Sequence, residues 1–503
     1  MIGKREREAI MREEDFLKLK SGTDVRGTAL GEKTDLTDEA VDAIVRAFLY
    51  WIEEKTGNRA KIIAVGHDSR LSAERICKTA VSAAQASGAD VLFCGLSSTP
   101  SMFMLLQEKE FCADASIMIT ASHMPSDKNG LKFFLPDGGL ESRDVTEILK
   151  LAAKGTTLSG AGRVQTLDYM PRYAAALVEK VRAATGKDKP LAGKKIIVDA
   201  GNGAGGFYVD KVLVPLGADT EGSRFLEPDG NFPNHIPNPE NERAMEAICE
   251  QVKKTGADLG IIFDTDVDRA GAVDDTGAEI NRNRLIALVS AILLSERAGG
   301  TIVTDSVTSE HLTEFIEKHG GRHHRFKRGY KNVIDEAKRL NDEGFYSPLA
   351  IETSGHAALK ENYFLDDGAY LVTRILISVA KGENVRDLIS GLKTPAEEGE
   401  VRLPFADGAD FKALGERVLR DLKTAAADEG LSVAEKNYEG VRILFGKGRG
   451  DGWALVRMSL HEPIMPVNFE SNVKGGMAVI AKTLYSLLGK YDFLKADPLK
   501  KIF

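Results

Sequence analysis

The chain has 503 residues, 43% of them apolar and 28% charged, and its 67 Lys and Arg against 75 Asp and Glu give a formal charge of −8. These values exclude a disordered or low-complexity chain, and at roughly 150 residues per domain the length suggests about three domains. The mildly acidic balance argues against a generic nucleic-acid or anionic-membrane binder.

Met1–Lys20 is dense in charge and has no apolar core segment, so it does not read as a secretory signal. From Lys61 onward the pattern is β then α, repeatedly. Lys61–Arg70 reads as a strand and turn, with a helix from Ser72 to about Ser87. Lys194–Gly206 and Gly300–Leu312 have the same shape. Each is followed, about 50–65 residues later, by an apolar run that breaks into a polar loop, the spacing a duplicated unit leaves behind. The expected fold is α/β, with three similar α/β units carrying mixed sheets over about residues 20–390. Ala396–Glu400 reads as a polar linker to a smaller C-terminal α+β domain, with strands near Val441–Phe445 and Trp453–Ser459 and a helix near Met477–Leu488. Gly446–Gly452 reads as a hairpin turn. The expected boundaries are 1–165, 166–284, 285–395 and 396–503. Ligands of open α/β sheets sit at the carboxyl ends of strands, so a central cleft fed by one loop per domain is expected.

Leu285–Leu294, the longest apolar stretch, falls well short of the ~18–20 residues that span a bilayer. Cys77, Cys94, Cys112 and Cys249 are widely spaced without a Cys-x-x-Cys, which argues against a disulfide scaffold or zinc site and for a reducing, cytoplasmic compartment.

Asp264-Thr265-Asp266-Val267-Asp268 follows the apolar run Leu259–Phe263. On an extended strand end alternate residues point the same way, so three carboxylates converge, an arrangement that calls for protonation or a cation. Hard oxygen ligands in small number favour Mg²⁺. Arg269 and Asp275 stand where an EF-hand needs Gly and Glu. A solvated acidic turn and a phosphatase with Asp264 as nucleophile are the alternative readings. Thr120-Ala121-Ser122-His123 ends another apolar strand, and Asn129-Gly130 reads as a tight turn that lets Lys132 fold back towards Ser122. Ser122 and His123 are neighbours in sequence and cannot be assumed to be nucleophile and base. A phosphorylated Ser122 would give Mg²⁺ an anionic oxygen. Glu352-Thr353-Ser354-Gly355-His356 suits sugar hydroxyls, and Arg457-Met458-Ser459-Leu460-His461 suits either a phosphate cradle or a plain exposed turn. The basic stretch Arg322–Lys331 has Phe326 and Tyr330 as its only aromatics, so a phosphate-facing loop fits better than a nucleic-acid site.

Taken in this order, TASHMPSDKNGLK, DTDVDR, ETSGH and RMSLHEP resemble the loops of the α-D-phosphohexomutases, the phosphoglucomutase and phosphomannomutase family, from about Ser21 to Gly476. The resemblance implies a cytoplasmic isomerase that interconverts hexose 1-phosphate and hexose 6-phosphate, glucose and/or mannose, through phospho-Ser122 and a 1,6-bisphosphate. It implies Mg²⁺ on Asp264, Asp266, Asp268 and phospho-Ser122, with glucose 1,6-bisphosphate as activator. Arg26 and Arg269 would lie near the transferred phosphoryl group, and Lys132 and His356 would be general base and acid. Glu352 and Ser354 would bind sugar hydroxyls, Arg457, Ser459 and His461 the other phosphate, and Lys331 would assist. The implied partner is a small phosphosugar, not nucleic acid or membrane, and the chain a monomer or homodimer. Met124, Thr353 and His461 depart from the family pattern, the last two on the substrate side. A non-catalytic sugar-phosphate sensor is the remaining alternative.

Overall fold

The computed structural model describes residues 11–459 and 462–503. Part of the charged opening stretch and His461 therefore lie outside the described residues. The chain folds into two compact units. The first runs up to Asn281 and takes the chain back for Ser354–Asp387; the second holds Arg282–Thr353 and Leu388–Phe503.

The first unit opens on an eight-stranded mixed sheet. Ile62–His67 pairs in parallel with Asp90–Leu96 and with Ala115–Ile119, and the chain then returns antiparallel as Lys128–Leu135, beside Asp24–Thr28. Buried Ile63, Val65, Ile117 and Ile119 face a core shared with Ile44, Phe48, Val145 and Ile148 of the covering helices. These helices are Asp38–Thr56, Ala73–Ala86 and Ser142–Ala153. The Ala73–Ala86 helix matches the one expected from Ser72 to Ser87. A second sheet sets Leu259–Phe263 parallel to Ile196–Asp199 and antiparallel to Ala270–Val273. Ala357–Leu359 and Leu365–Asp366 form a short antiparallel pair, followed by the wholly buried helix Gly368–Ala380.

In the second unit Thr301–Thr304 pairs in parallel with Arg322–Arg325 and Leu349–Ile351. The apolar run Leu285–Leu294 is the buried interior of the helix Arg282–Glu296. The last segment is a five-stranded antiparallel sheet whose Ile443, Val456, Val467 and Phe469 pack against Val418, Leu422, Ile480 and Leu484 of the helices Phe411–Asp428 and Gly476–Leu488. Val441–Phe445 is a strand, joined to Gly452–Val456 through the glycine-rich turn as expected.

Two local expectations are corrected. Asn129 and Gly130 lie inside the strand Lys128–Leu135, and the chain turns earlier, with the Lys128 amide donating to the Pro125 carbonyl at 3.0 Å. Pairing on both edges, to Arg26 and to the Thr120 amide, overrides the local turn preference. The polar stretch read as a linker is likewise the start of the strand Glu397–Pro404, which alternates half-buried and exposed residues as far as Arg402 and then buries Leu403.

All four cysteines are free. Among the described residues no helix is long and apolar enough to cross a membrane.

Candidate active site

The acidic loop closes a hairpin. Arg269 donates its main-chain N–H to Asp264 Oδ1 at 3.1 Å, and the strands on either side pair Phe263 with Ala270. The loop is not extended, since Val267 has φ +67°. Its shape is instead pinned from outside, by three N–H groups on successive carbonyls. Ala204 donates to Thr265 at 2.8 Å, Thr99 to Asp266 at 2.8 Å and Gly368 to Val267 at 3.1 Å. Thr99 opens the helix Thr99–Gln107, which begins with a reciprocal Ser98–Ser101 capping box, and its hydroxyl donates to Asp266 Oδ2 at 2.5 Å. The carboxylates thus converge through a turn rather than through strand alternation. Their oxygens lie within 4.8 Å of one another, all buried.

Burial and the neighbouring Asp268 and Asp266 push Asp264 well above the usual carboxylate range. Burial works against the charge of Asp268 too, but Lys132, His356 and Arg269 hold that group well below the range. Asp266 Oδ1 and Asp268 Oδ1 are buried without a hydrogen-bond partner. Orphaned hard oxygens beside a carboxylate that resists ionisation fit a small divalent cation.

Ser122 is 2% exposed and sits at φ +51°, a left-handed conformation costly for a residue with a Cβ. Its Oγ donates to Asp264 Oδ2 at 3.2 Å and accepts from Arg269 Nη2 at 3.4 Å. His123 Nδ1 also lies 3.2 Å from Oγ, so the two sequence neighbours do touch. Lys132, projecting from Lys128–Leu135, pairs with Asp268 and reaches Asp266 Oδ2 at 3.4 Å. Gly130 makes that register possible: a Cβ there would collide with the Val25 carbonyl and come within 2.8 Å of the Thr120 carbonyl. Arg26, on the opposite strand, donates to Asp24 Oδ2 at 2.8 Å and leaves Nε buried without a partner. Arg269 is buried and also donates from Nη1 to Asn238 at 3.3 Å. His356 pairs through Nδ1 with Asp366, whose other oxygen accepts the Ala357 amide at 2.8 Å. Despite burial, Asp366 holds the imidazole above its ordinary value. The first unit thus gathers Arg26, Ser122, Lys132, Asp264, Asp266, Asp268, Arg269 and His356. Ser354 belongs to it as well, its hydroxyl buried and unpartnered.

The remaining expected residues lie in the second unit. Glu352 Oε1 accepts the Gly329 amide at 2.7 Å. Asp305, fully buried, takes the Thr353 hydroxyl at 2.8 Å and faces Arg328 at 3.4 Å. Glu439 accepts from Ser306 Oγ at 2.6 Å and from the Arg328 amide at 3.1 Å, and stands 3.8 Å from Arg457. Arg457 is 8% exposed with an unpartnered Nε, and Ser459 Oγ accepts the Glu462 amide at 3.2 Å. One polar network therefore links the Glu352 loop to Arg457. Lys331 is turned to Asp335, one helical turn away, at 2.7 Å.

Sequence reading passed over Asp68, Arg70, Thr99, Asp366, Asp305 and Glu439. Each meets the expected residues of its own unit through space, and only the turn Lys61–Arg70 carried a local signal.

The chain matches the family models for phosphoglucomutase/phosphomannomutase alpha/beta/alpha domains I, II and III over residues 18–158, 171–277 and 281–394, more than half its length. It is 31% identical to a phosphomannomutase/phosphoglucomutase of Pseudomonas putida over 84% of this chain and 87% of the relative. It is 30% identical to a phosphoglucomutase of Neisseria gonorrhoeae over 90% and 93%. A crystal structure of a phosphoglucomutase/phosphomannomutase family protein from Burkholderia thailandensis superposes with a TM-score of 0.80 at 26% identity, covering 96% of this chain and all of that one. By sequence and by fold, the chain belongs to the phosphoglucomutase/phosphomannomutase family.

Proposed function

We propose that Ser122, as a phosphoserine, is both donor and acceptor in the interconversion of hexose 1-phosphate and hexose 6-phosphate, with glucose and/or mannose as the sugar. As a family member the chain is a hexose phosphate mutase, an isomerase that moves phosphate within a small phosphosugar. The observation that carries the serine's role is its placement: a buried hydroxyl held between the Asp264 carboxylate and the Arg269 guanidinium.

In the forward direction the free O6 hydroxyl of a hexose 1-phosphate attacks the phosphorus on Ser122. The O6–P bond forms as the P–Oγ bond breaks, the hydroxyl proton leaves to a base, and the 1,6-bisphosphate turns over so that Oγ takes back the other phosphoryl group. Such transfer needs alignment and charge neutralisation more than covalent help. Arg269 and Arg26 offset the charge at the transferred group. Lys132 and His356 handle the protons; Nδ1 of His356 is committed to Asp366, so its exchange runs at Nε2. Asp264, Asp266, Asp268 and the serine phosphate would hold Mg²⁺, which when bound supplies Lewis-acid neutralisation of phosphoryl oxygens.

Glu352 and Ser354 bind sugar hydroxyls, and Arg457, Ser459 and His461 hold the phosphate that is not moving, with Lys331 assisting. The working division remains four domains, 1–165, 166–284, 285–395 and 396–503, each contributing one loop. Glucose 1,6-bisphosphate restores phosphate to an empty Ser122. Four unpaired cysteines support a cytoplasmic setting, where the enzyme acts as a monomer or homodimer. Asp264 suits a nucleophilic role poorly, because Arg269 and Ser122 occupy both its oxygens.

The test is a Mg²⁺-dependent assay with glucose 1-phosphate, mannose 1-phosphate and glucosamine 1-phosphate, primed with a trace of glucose 1,6-bisphosphate. We expect 6-phosphate product from glucose or mannose that vanishes in Ser122→Ala. Free phosphate without isomerisation would transfer the chemistry to Asp264, and silence on all three sugars would leave a binding protein.

A further inference from the structure

Four main-chain carbonyls of the serine loop are held by one side chain from the turn after another strand. Arg70 follows Ile62–His67, and its guanidinium, with no exposed surface, donates four hydrogen bonds to main-chain carbonyls of the loop. Nη1 reaches Pro125 at 2.6 Å and Lys128 at 2.9 Å; Nη2 reaches Met124 at 2.6 Å and the carbonyl of Ser122 itself. The same turn holds the other side of the Ser122 peptide. Asp68 accepts the Thr120 hydroxyl at 2.7 Å, and that hydroxyl accepts the Ser122 amide at 2.8 Å. Asp68 also faces Arg70 Nε at 3.3 Å as its counter-charge. Both polar atoms of the Ser122 main chain, at a residue of unfavourable φ, are thus fixed from Asp68 and Arg70. Phe232 covers the guanidinium at 5.4 Å, and Gly230 packs so closely that a Cβ would lie 2.6 Å from the Ser69 carbonyl.

We propose that Arg70 is a positioning residue for phosphoryl transfer, a fork that sets the orientation of Ser122 Oγ through the backbone of its loop. The inference rests on the phosphoserine reading for its catalytic consequence. A planar guanidinium with five N–H groups can serve four carbonyls in fixed directions; an ammonium cannot.

The test compares Arg70→Lys and Arg70→Met with wild type, each normalised to folded protein by circular dichroism and melting. A misplacement on the order of 1 Å costs about 100-fold in rate. Accordingly kcat per folded molecule is expected to fall about 100-fold in both variants, with KM for the hexose phosphate changed less than about threefold, because Arg457 and Glu352 are untouched. Amide exchange of residues 121–128 should accelerate while the strand Ile62–His67 stays protected. Arg70→Lys keeps the charge beside Asp68, so it reports on the fork even where Arg70→Met folds poorly. Wild-type kcat in Arg70→Lys, or unchanged exchange of the loop, would overturn the proposal. Ser122→Ala is run alongside: if it stays active the phosphoserine reading fails, whereas the exchange measurement still judges the clamp.

Discussion

Lys132→Met tests whether Lys132 is the resident counter-cation of the carboxylate cluster. The side chain is 7% exposed, and its ammonium contacts Asp268 and lies 3.4 Å from Asp266 Oδ2. At that distance and an effective dielectric of about 20, the Asp266 attraction alone amounts to about 5 kcal/mol. Removing one partner of a buried pair typically costs about 3–5 kcal/mol. The alternative open to the variant is to protonate Asp268, which from an ordinary carboxylate value costs about 4 kcal/mol at pH 7. Both routes lead to the same loss in metal-free protein, about 3–5 kcal/mol, while Met preserves the apolar stem and volume. Thermal melts in EDTA should therefore show the transition of the first unit lower by roughly 5–8 °C. Saturating Mg²⁺ should close at least half of that gap, since the cation takes over the carboxylates that lysine served. Turnover should fall by about 100-fold or more with Mg²⁺ present, because the proton-transfer group is gone. A gap below about 1 kcal/mol in EDTA, or one that Mg²⁺ leaves unchanged, would refute the argument that lysine and cation share these carboxylates.

Asp367, next in the chain to the Asp366 that holds His356, gives a pH signature in stability. It caps the helix Gly368–Ala380 and accepts from the Tyr370 amide, Tyr173 and Asn362, yet burial raises its carboxyl from 3.8 to about 6. A folded value above the unfolded one means stability present below about pH 4 and lost as pH rises through about 6, by about 3 kcal/mol in all. The stability of wild type relative to Asp367→Asn should decline over that window in urea titrations; a flat difference would disprove it. Gly130→Ala should cost about 1–3 kcal/mol in melting and reduce kcat, because its Cβ forces apart the strands that carry Arg26 and Lys132. Arg457→Ala should raise KM for the hexose phosphate at least tenfold while leaving phosphorylation of Ser122 by the bisphosphate detectable by intact mass. An unchanged KM would remove Arg457 from the phosphate cradle.

Much of the α/β part of the chain was legible because its loops follow runs with strong local signals. Ala115–Ile119, Leu259–Phe263 and Leu349–Ile351 are β-branched or apolar stretches buried at every position, each broken by polar turn residues. The residues those loops present could be named from composition and spacing. What escaped was whatever depends on how distant strands are ordered. Asn129-Gly130 has strong turn chemistry, but strand partners on both sides hold it extended. Asp366 meets His356, Thr99 meets Asp266 and Arg70 meets the Ser122 carbonyl across separations of 10, 167 and 52 residues. No periodicity marks such pairs, because the sheet order alone makes them neighbours.

The late return of residues 354–387 to the first unit bears on how the protein is made. The helix Gly368–Ala380 is buried along its whole length. Tyr208 shares a hydrogen bond with Thr373 at 2.9 Å, Tyr173 donates to Asp367 at 2.7 Å, and Gly368 lies against Arg269 so closely that a Cβ would be 2.6 Å from the Arg269 carbonyl carbon. A nascent chain that has emerged as far as Asn281 lacks all of this cover. At about 5–20 residues per second, roughly a hundred further residues must be synthesised, over about 5–20 seconds, before the missing helix arrives. During that interval the apolar surface meant for it is open to chaperones or to other nascent chains, and closure then requires a contact of long sequence separation. Premature termination between 282 and 367 would yield a fragment carrying Ser122 and all three loop aspartates, but not the helix that buries their support.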